Sequence, residues 1–240
     1  MIKYIDIFYG IRSFHQGMTK QLKTKCLISC DINKSFRKGY KLKYNIKPDK
    51  YILNIKKFNI QKIDVIFVAF PYHSFLNINK QEIIEKNHKT LINNIIMIIE
   101  KTKPKSFVFS NTKDLLSEEK GEIFKLLVNI LSNYGYSITY KVLKASNYGI
   151  PQNKQSLFIV GVKNNIKYEF EWPEQIKTLS LVEYRKLFET DIIYNNIDTI
   201  NYIDLEKMKT VCNIIHVNLF CLITNQLCHV LNKNNYTLSK

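Results

Sequence analysis

The chain has 240 residues, 45% of them hydrophobic, which is enough to bury a full core and excludes a disordered polymer. Its length fits one domain with a small appendage. Lys and Arg number 36 against 20 Asp and Glu, and the formal charge of +16 favours a polyanionic partner such as nucleic acid. Because the lysines run through almost every segment, compositional bias is an alternative explanation of the excess.

The number and spacing of the cysteines exclude a fold that depends on disulfide bonds and a zinc site built from cysteines. Their number, 5, is odd, they form no Cys-x-x-Cys pair, and no His residues accompany them at zinc spacing. We therefore expect no metal, and buried reduced thiols in an intracellular protein that is cytoplasmic or nuclear. The N-terminus enters a strand pattern at once, which predicts no signal peptide.

The first half of the chain alternates strand and helix patterns. Apolar or alternating runs predict strands at 2–8, 26–30 and 63–70, and apolar residues at helical spacing predict helices at 12–23, 34–44 and 81–101. Strands separated by helices are typical of a parallel sheet with helices on both faces.

The second half closes the sheet with a hairpin. Strands are predicted at 106–111, 136–143 and 156–162, and a helix at 118–133 is stopped by Tyr134-Gly135. A turn-rich loop at 147–153 joins the last two strands as an antiparallel pair. The pattern predicts an α/β fold, a doubly wound and mostly parallel sheet with an antiparallel closing hairpin.

Beyond Trp172-Pro173 the pattern loosens, with a possible helix at 179–188 and a mainly helical tail from 205. Within that tail, residues 211–231 are apolar but interrupted by Asn, Gln and His, which makes a bilayer span costly. We expect no membrane contact, and a buried or partner-facing helix there.

The strand at 63–70 runs into Pro71-Tyr72-His73, a polar loop at the edge where such folds present their chemistry. This segment resembles the catalytic strand and loop of the cytosine-C5 DNA methyltransferases, which end that strand in Gly-Phe-Pro-Cys-Gln. The family cysteine adds to C6 of a flipped-out cytosine. Here Tyr72 takes its place, and a phenol is a harder and bulkier group than a thiol.

The other catalytic positions of the family are also changed. Ser110 stands where the family has a Glu that acts as acid on the cytosine, and a serine hydroxyl cannot do this. Lys154 and Ser156 stand in place of two arginines, so the bidentate guanidinium geometry is lost. The residues that shape the same segments persist, namely Asn111 and the run Tyr148-Gly-Ile-Pro-Gln152.

The resemblance also supplies a cofactor pocket for S-adenosylmethionine. Phe8 and Gly10 match the family's glycine turn, but Arg12 and Ser13 replace its next two glycines and obstruct it. The remaining pocket positions are Asp31 for the ribose hydroxyls, Ile32 against the adenine, Tyr51 in place of a carboxylate, and Leu91. Read without the resemblance, Phe8 is ordinary core and Asp31 is a helix N-cap.

The resemblance covers residues 5–161 and implies two parts. Residues 1–172 form the methyltransferase-like scaffold, and 173–240 form a divergent, largely helical extension in place of the target-recognition domain. We expect weak or lost cofactor binding and no methyl transfer by the chain alone. The protein would then be a relic with no selected activity, a non-catalytic partner of a second methyltransferase chain, or a basic module that binds DNA or RNA. The alternative is an active cytosine-5 methyltransferase that needs a partner chain.

Overall fold

The computed structural model describes residues 1–8, 13–19, 21, 23–31, 33–45, 48, 62–70, 91–117, 121–148, 153–175 and 217–237. Its six strands are β1 (Ile2–Ile7), β2 (Thr24–Cys30), β3 (Val65–Ala69), β4 (Ser106–Asn111), β5 (Tyr136–Lys144) and β6 (Gln155–Lys163). They form one sheet in the order β2-β1-β3-β4-β6-β5. The first four are parallel, and β6 runs antiparallel to both β4 and β5. The predicted α/β fold with an antiparallel closing hairpin is confirmed.

The described residues include five helices: α1 (Ser13–Thr19), α2 (Lys34–Tyr44), α3 (Leu91–Thr102), α4 (Glu122–Asn133) and α5 (Val217–Thr237). Short 3-10 turns lie at Lys113–Leu116 and Ala145–Asn147. The predicted bounds of α2 and β4 are those observed. Helix α1 ends at Thr19, earlier than predicted, and the hydroxyl of Thr24, the first residue of β2, donates to the carbonyl of Met18. Predicted helical residues 81–90 and 179–188 lie outside the described part.

One face of the sheet carries α3 and α4. Their apolar side chains, among them Ile95, Ile99 and Leu127, pack on Ile66, Phe107 and other buried strand residues. Gly161 of β6 is required here, since a Cβ on it would lie 2.1 Å from Cζ of Phe107. The missing side chain lets the aromatic ring lie across β6.

The other face carries α1 and α5. Phe14 of α1 stacks on Phe67 of β3 at 4.7 Å between ring centroids, and Phe220 of α5 meets Phe14 edge-on at 4.3 Å. Gly17 allows the two helices to approach, because a Cβ there would lie 3.1 Å from the backbone Cα of Cys221. The first and last described helices therefore share one core.

Helix α5 uses its apolar side chains inside the molecule. Leu219, Ile223 and Leu227 are each 0% exposed and belong to the same buried cluster as Phe14 and Val65. The sequence predicted that this tail is either buried or faces a partner. Burial is confirmed for the helix, and the alternative that these side chains form a partner surface is wrong. Within the described residues, no helix combines the length and apolar character of a membrane span.

Candidate active-site edge

The four parallel strands end at one edge of the sheet, and the predicted site residues that the structure describes lie there. Pairing places Ile7 of β1 between Cys30 of β2 and Val68 of β3. Ala69 of β3 then pairs with Ser110 of β4. In open parallel sheets the carboxyl ends of the strands form the ligand crevice. Four predicted positions, Gly10, Ile32, Tyr51 and Tyr72, lie outside the described residues.

Ser110 lies at the point where β3 gives way to the loop that begins with Pro71. Its carbonyl oxygen accepts a hydrogen bond of 3.0 Å from the backbone N–H of Phe70. On its other side it pairs with Phe158 of β6. The half-buried Ser110 side chain is thus held between two strands, one residue away from the start of the predicted nucleophile loop.

Lys154 and Ser156 lie at the start of β6, on the same edge. The carbonyl oxygen of Lys154 accepts a 3.0 Å hydrogen bond from the N–H of Ala145, which closes the hairpin. Ser156 is 8% exposed and pairs with Leu143. Since side chains alternate along a strand, Ser156 lies on the same sheet face as Phe158, the partner of Ser110. Three of the four predicted catalytic positions therefore lie along the same edge of the sheet.

Asn111 orders the turn after β4. Its side-chain Oδ1 accepts a 2.7 Å hydrogen bond from the N–H of Thr112, and the residue is only 9% exposed. This turn leads into the 3-10 segment Lys113–Leu116, whose Leu115 is buried in the core. Asn111 is therefore a structural residue of this edge.

On the cofactor side of the edge, Phe8 follows β1 in an unusual conformation. Its φ is +54°, in the left-handed region that costs a residue with a Cβ about 1 kcal/mol. Its N–H donates to the carbonyl of Cys30, and its side chain is buried in the core that includes Ile28 and Ile92. The observed contacts are those of a core residue, and a role against a cofactor stays a prediction. Leu91 opens α3 and packs half-buried against the same core.

Asp31 ends β2 with its side chain 4% exposed. Its Oδ1 accepts a 2.8 Å hydrogen bond from the N–H of Asn33, and its backbone carbonyl accepts one from Arg37 at 2.7 Å. The residue that caps α2 is Asn33, whose Oδ1 accepts the N–H of Phe36. The alternative in which Asp31 is the cap of α2 is therefore wrong, and its position after β2 fits that of a ribose-binding carboxylate.

Asp6 is a residue of this edge to which the sequence gave no role. It is 0% exposed, and neither carboxylate oxygen accepts a hydrogen bond of good geometry, although the backbone N–H of His15 lies nearby. Burial raises its pKa to about 8, and the nearby charge of Asp31 adds to the rise, while the backbone N–H of His15 lowers it. Two carboxyl groups thus lie beside each other below the end of β1. The only hint in the sequence is an aspartate inside the apolar run of the first strand.

A buried polar cluster of Tyr4, His15 and Tyr40 lies behind Asp6, between β1, α1 and α2. The hydroxyl oxygens of Tyr4 and Tyr40 lie 2.9 and 2.6 Å from Nδ1 of His15. Burial raises the pKa of both phenols far above its ordinary value. The cluster therefore stays uncharged on its tyrosines and fixes α1 and α2 to the first strand.

Neither Cys26 nor Cys228 offers a substitute nucleophile. Burial raises the pKa of Cys26 to about 12, and the charge of Asp6 acts in the same direction. Burial also raises the pKa of Cys228 to about 12. A thiol is nucleophilic as its thiolate, so neither group is activated near neutral pH. Among the described residues, no three His, Cys, Asp or Glu side chains lie close enough to hold a metal ion.

The family model described as C-5 cytosine-specific DNA methylase matches residues 2–235. This match extends well beyond residue 161, where the resemblance in the motifs ends, and it includes most of α5. The last described helix is therefore matched as part of the same family domain.

Curated relatives agree with the family match. The type II methyltransferase M.BsuFI of Bacillus subtilis is 32% identical over 72% of this chain and 42% of its own length. M.NgoBI of Neisseria gonorrhoeae is 32% identical over 79% of this chain and 57% of its own length. M.HhaI of Haemophilus parahaemolyticus is 25% identical over 82% of this chain and 60% of its own length. The chain spans about half the length of the curated relatives it matches.

Solved structures show the same fold. DNMT2 of Spodoptera frugiperda, as a crystallised mutant, superposes with a TM-score of 0.57 at 17% identity, over 77% of this chain and 56% of that one. The methyltransferase EhMeth of Entamoeba histolytica superposes with a TM-score of 0.54 at 19% identity, over 74% and 57%.

Proposed function

This chain belongs to the C-5 cytosine-specific DNA methylase family, and we propose that it is a member that keeps the catalytic-domain fold without the family's methyl-transfer chemistry. The observation that carries the proposal is the position of Ser110. It lies at the carboxyl end of β4, bound through its carbonyl to Phe70, where the resemblance requires a Glu.

The first missing group is the general acid that acts on the cytosine. A general acid is effective when its pKa lies near the working pH, and a serine alcohol lies far above that range. The Ser110 hydroxyl could donate a hydrogen bond to a base, but it cannot hand over a proton. Its neighbours on the adjacent strands, Ala69 and Phe158, carry no acid that could replace it.

The nucleophile is the second missing group. Tyr72 stands at the cysteine position in the sequence, and its phenol has an ordinary pKa of about 10, whereas a thiol has about 8.5. The raised pKa values of Cys26 and Cys228 keep both thiols protonated near neutral pH. Addition to a pyrimidine ring therefore has no activated nucleophile among these groups.

S-adenosylmethionine, the methyl donor that the family implies, fits only part of the pocket. Asp31, which directly follows β2, stands at the position where the resemblance expects a ribose-binding carboxylate. The sequence nevertheless places Arg12 and Ser13 where the family's backbone approaches the ligand through glycines. We therefore expect the cofactor to bind weakly or not at all.

A titration of S-adenosylmethionine and S-adenosylhomocysteine by calorimetry tests this part of the proposal. We expect no measurable binding to the natural chain at millimolar ligand. A variant with both Arg12→Gly and Ser13→Gly should regain affinity, since it reopens the turn without touching Asp31. Binding with a micromolar Kd to the natural chain would contradict the closed pocket.

Three non-catalytic roles remain open: a relic, a partner of a second methyltransferase chain, and a basic module that binds DNA or RNA. The second candidate function is an active cytosine-5 methyltransferase completed by a partner. It draws support from the fact that the chain spans 42% to 60% of the three relatives described above. That partner would have to supply a thiol, an acid and a target-recognition domain. Methyl transfer that appears only after a second methyltransferase chain is added would favour this candidate.

A further inference from the structure

Helix α2 is attached to the fold differently from the other described helices. Helices α1, α3, α4 and α5 each place side chains in one of the two buried apolar clusters, whereas none of the described α2 side chains belongs to either cluster. Among those α2 side chains only Tyr40 is buried, and Phe36, Arg37 and Tyr44 are half-buried. A helix that shares little buried apolar area with its neighbours separates from them at a lower cost than the rest of the fold.

The described contacts of α2 are mainly polar and aromatic, and they converge on His15 of α1. The Tyr40 hydroxyl lies 2.6 Å from Nδ1 of His15, and the ring centroid of Tyr44 lies 4.1 Å from that of the imidazole. The Tyr40 hydroxyl also lies 3.7 Å from Sγ of Cys26 in β2. We call these four residues, His15, Cys26, Tyr40 and Tyr44, the α2 contact.

Asp6 lies beside the α2 contact, inside the molecule. It shares a face of β1 with Tyr4, whose hydroxyl also meets Nδ1 of His15, because side chains alternate along a strand. Burial raises the pKa of Tyr40 and of Cys26, and in both groups the charge of Asp6 raises the pKa further. An ionised Asp6 is therefore close enough to act on the residues that hold α2 in place.

The titratable and charged groups around Asp6 come from four elements, and the residue of β3 that pairs with Asp6 is the apolar Phe67. The four elements contribute Tyr4 from β1, Cys26 and Asp31 from β2, His15 from α1, and Arg37, Tyr40 and Tyr44 from α2. Asp31 has the same charge as an ionised Asp6 and adds to the rise in its pKa that burial causes. Arg37 donates to the backbone carbonyl of Asp31. The neutral, protonated form of Asp6 is therefore the one that suits the docked helix.

We propose that α2 is a proton-controlled latch, which stays docked while the Asp6 carboxyl group carries its proton and separates from the sheet when that proton is lost. A buried carboxylate without a matched positive charge is strongly unfavourable, and hydration relieves it. Separation of α2 admits water to Asp6 and leaves the described members of both apolar clusters in place. Separation of α1 would instead break the core that contains Phe14 and Met18, so α2 is the helix that yields.

The direction of the effect follows from the two states of Asp6. Its pKa is about 8 in the docked form, chiefly because of burial, and returns to an ordinary 3.8 once water reaches the carboxyl group. Opening therefore releases one proton, and the open population rises about tenfold per pH unit between about pH 4 and pH 8. Above about pH 8 the docked form also lacks the proton, so the open population stops rising.

The latch acts on the cofactor side of the candidate edge. Asn33, which caps α2, donates its N–H to Oδ1 of Asp31, and Arg37 of α2 donates to the carbonyl of the same residue. Separation of α2 breaks the Arg37 contact and loosens the chain at Asp31. The inference concerns the docking of a helix and does not depend on methyl transfer, so its failure would leave the proposed function untouched.

The test is hydrogen exchange of the full chain, followed by mass spectrometry at pH 5, 6 and 7. Exchange rates of the amides in α2 and α4 are divided by the intrinsic chemical rates, which gives protection factors that are comparable between pH values. Each measurement is repeated in about 1 M urea, because urea accelerates exchange that requires global unfolding and has little effect on local opening. Asp6→Asn is the test variant, and Asp114→Asn, at an exposed carboxylate, is the matched control.

In the natural chain and in Asp114→Asn we expect the protection of α2 to fall about 100-fold from pH 5 to pH 7, with little response to urea. The amides of α4 should be more strongly protected and should respond to urea. In Asp6→Asn the protection of α2 should stay constant across the pH range.

Three results would each overturn the proposal. The first is an α2 protection factor in the natural chain that does not change with pH. The second is an α2 that shares the protection and the urea response of α4, since α2 would then leave the sheet only when the whole chain unfolds. The third is a pH dependence of α2 that persists in folded Asp6→Asn. The first two are decided by the natural chain alone, so the proposal remains testable if Asp6→Asn does not fold.

Discussion

The backbone N–H of Phe70 donates a 3.0 Å hydrogen bond to the carbonyl oxygen of Ser110. This contact ties the last residue of the β3 region to the position where the family places its acid. The nucleophile loop begins at the next residue, Pro71. The described end of β3 is therefore fixed beside Ser110, and under the proposed function the loss lies in the side chains present at the family's catalytic positions.

The pH dependence of stability should report the buried carboxyl group of Asp6. Its pKa in the fold is raised to about 8 from an ordinary 3.8, so the folded state keeps a proton that the unfolded chain releases. This contribution to stability is present in full below about pH 4 and is lost as the pH rises through about 8. We expect Asp6→Asn to flatten the fall in melting temperature between pH 5 and 9.

At pH 9 the Asp6→Asn variant should be more stable than the natural chain, by roughly 1 to 3 kcal/mol, because no buried charge remains unpaired. Thermal unfolding followed by circular dichroism at pH 5, 7 and 9 measures both effects. Asp114→Asn, at an exposed carboxylate, is the matched control and should leave the profile unchanged. A natural chain that gains stability toward pH 9 would contradict the assignment.

Gly17→Ala should destabilise the fold by roughly 1 to 3 kcal/mol, the usual cost of overpacking. The new methyl group would lie 2.3 Å from Oγ1 of Thr224 and 3.1 Å from Cα of Cys221. This clash outweighs the gain of about 1 kcal/mol that alanine brings to a helix. Urea denaturation gives the free energy of unfolding.

Thr224, whose hydroxyl the new methyl group would meet, provides a second test. Adding Thr224→Ala removes the nearest atom but leaves the backbone of Cys221 in place. The double variant should therefore recover only part of the lost stability. A Gly17→Ala chain as stable as the natural one would show that α1 and α5 do not pack as described.

Gly161→Ala should destabilise the sheet through Phe107. A Cβ at this position would lie 2.1 Å from Cζ of the ring, which is fixed between Phe109 and Tyr136 by aromatic contacts. We expect a loss of about 2 kcal/mol, and Phe107→Leu in the same chain should restore part of it because leucine is smaller. Additive losses in the double variant would contradict the contact.

Lys103→Gly should stabilise the protein by up to about 1 kcal/mol. Lys103 follows α3 with φ of +44°, and its N–H donates to the carbonyl of Ile99 as the helix ends. Glycine takes this conformation without the Cβ penalty. Lys101→Gly, two residues earlier and inside the helix, should cost about 1 kcal/mol. The melting temperatures of the two variants should therefore shift in opposite directions.

Periodicity predicted most of the fold because each strand and helix has its own local pattern. The run Ser106–Asn111 is apolar and short, and Lys34–Tyr44 has helical spacing, so both were predicted with their observed bounds. The stop of α4 before Gly135 was also predicted, and this glycine has a φ of +85°.

Long-range contacts could not be predicted in the same way. The role of α5 depends on Phe220 meeting Phe14, two residues that are more than two hundred positions apart. The raised pKa of Asp6 comes first from its burial in the assembled fold, and the pairing of β1 with β2, which brings Asp31 near it, adds to the rise. Neither relationship has a local pattern, and both appear only when the sheet is assembled.

The measurement that tests the central claim most directly is methyl transfer itself. Tritiated S-adenosylmethionine at millimolar concentration is incubated with the full chain and a mixed-sequence duplex DNA, and label in the cytosines is counted. We predict none above the background of a heat-denatured sample, and none for a control variant with Tyr72→Phe. Labelled 5-methylcytosine formed by the natural chain, and abolished in a Tyr72→Phe variant, would contradict the account.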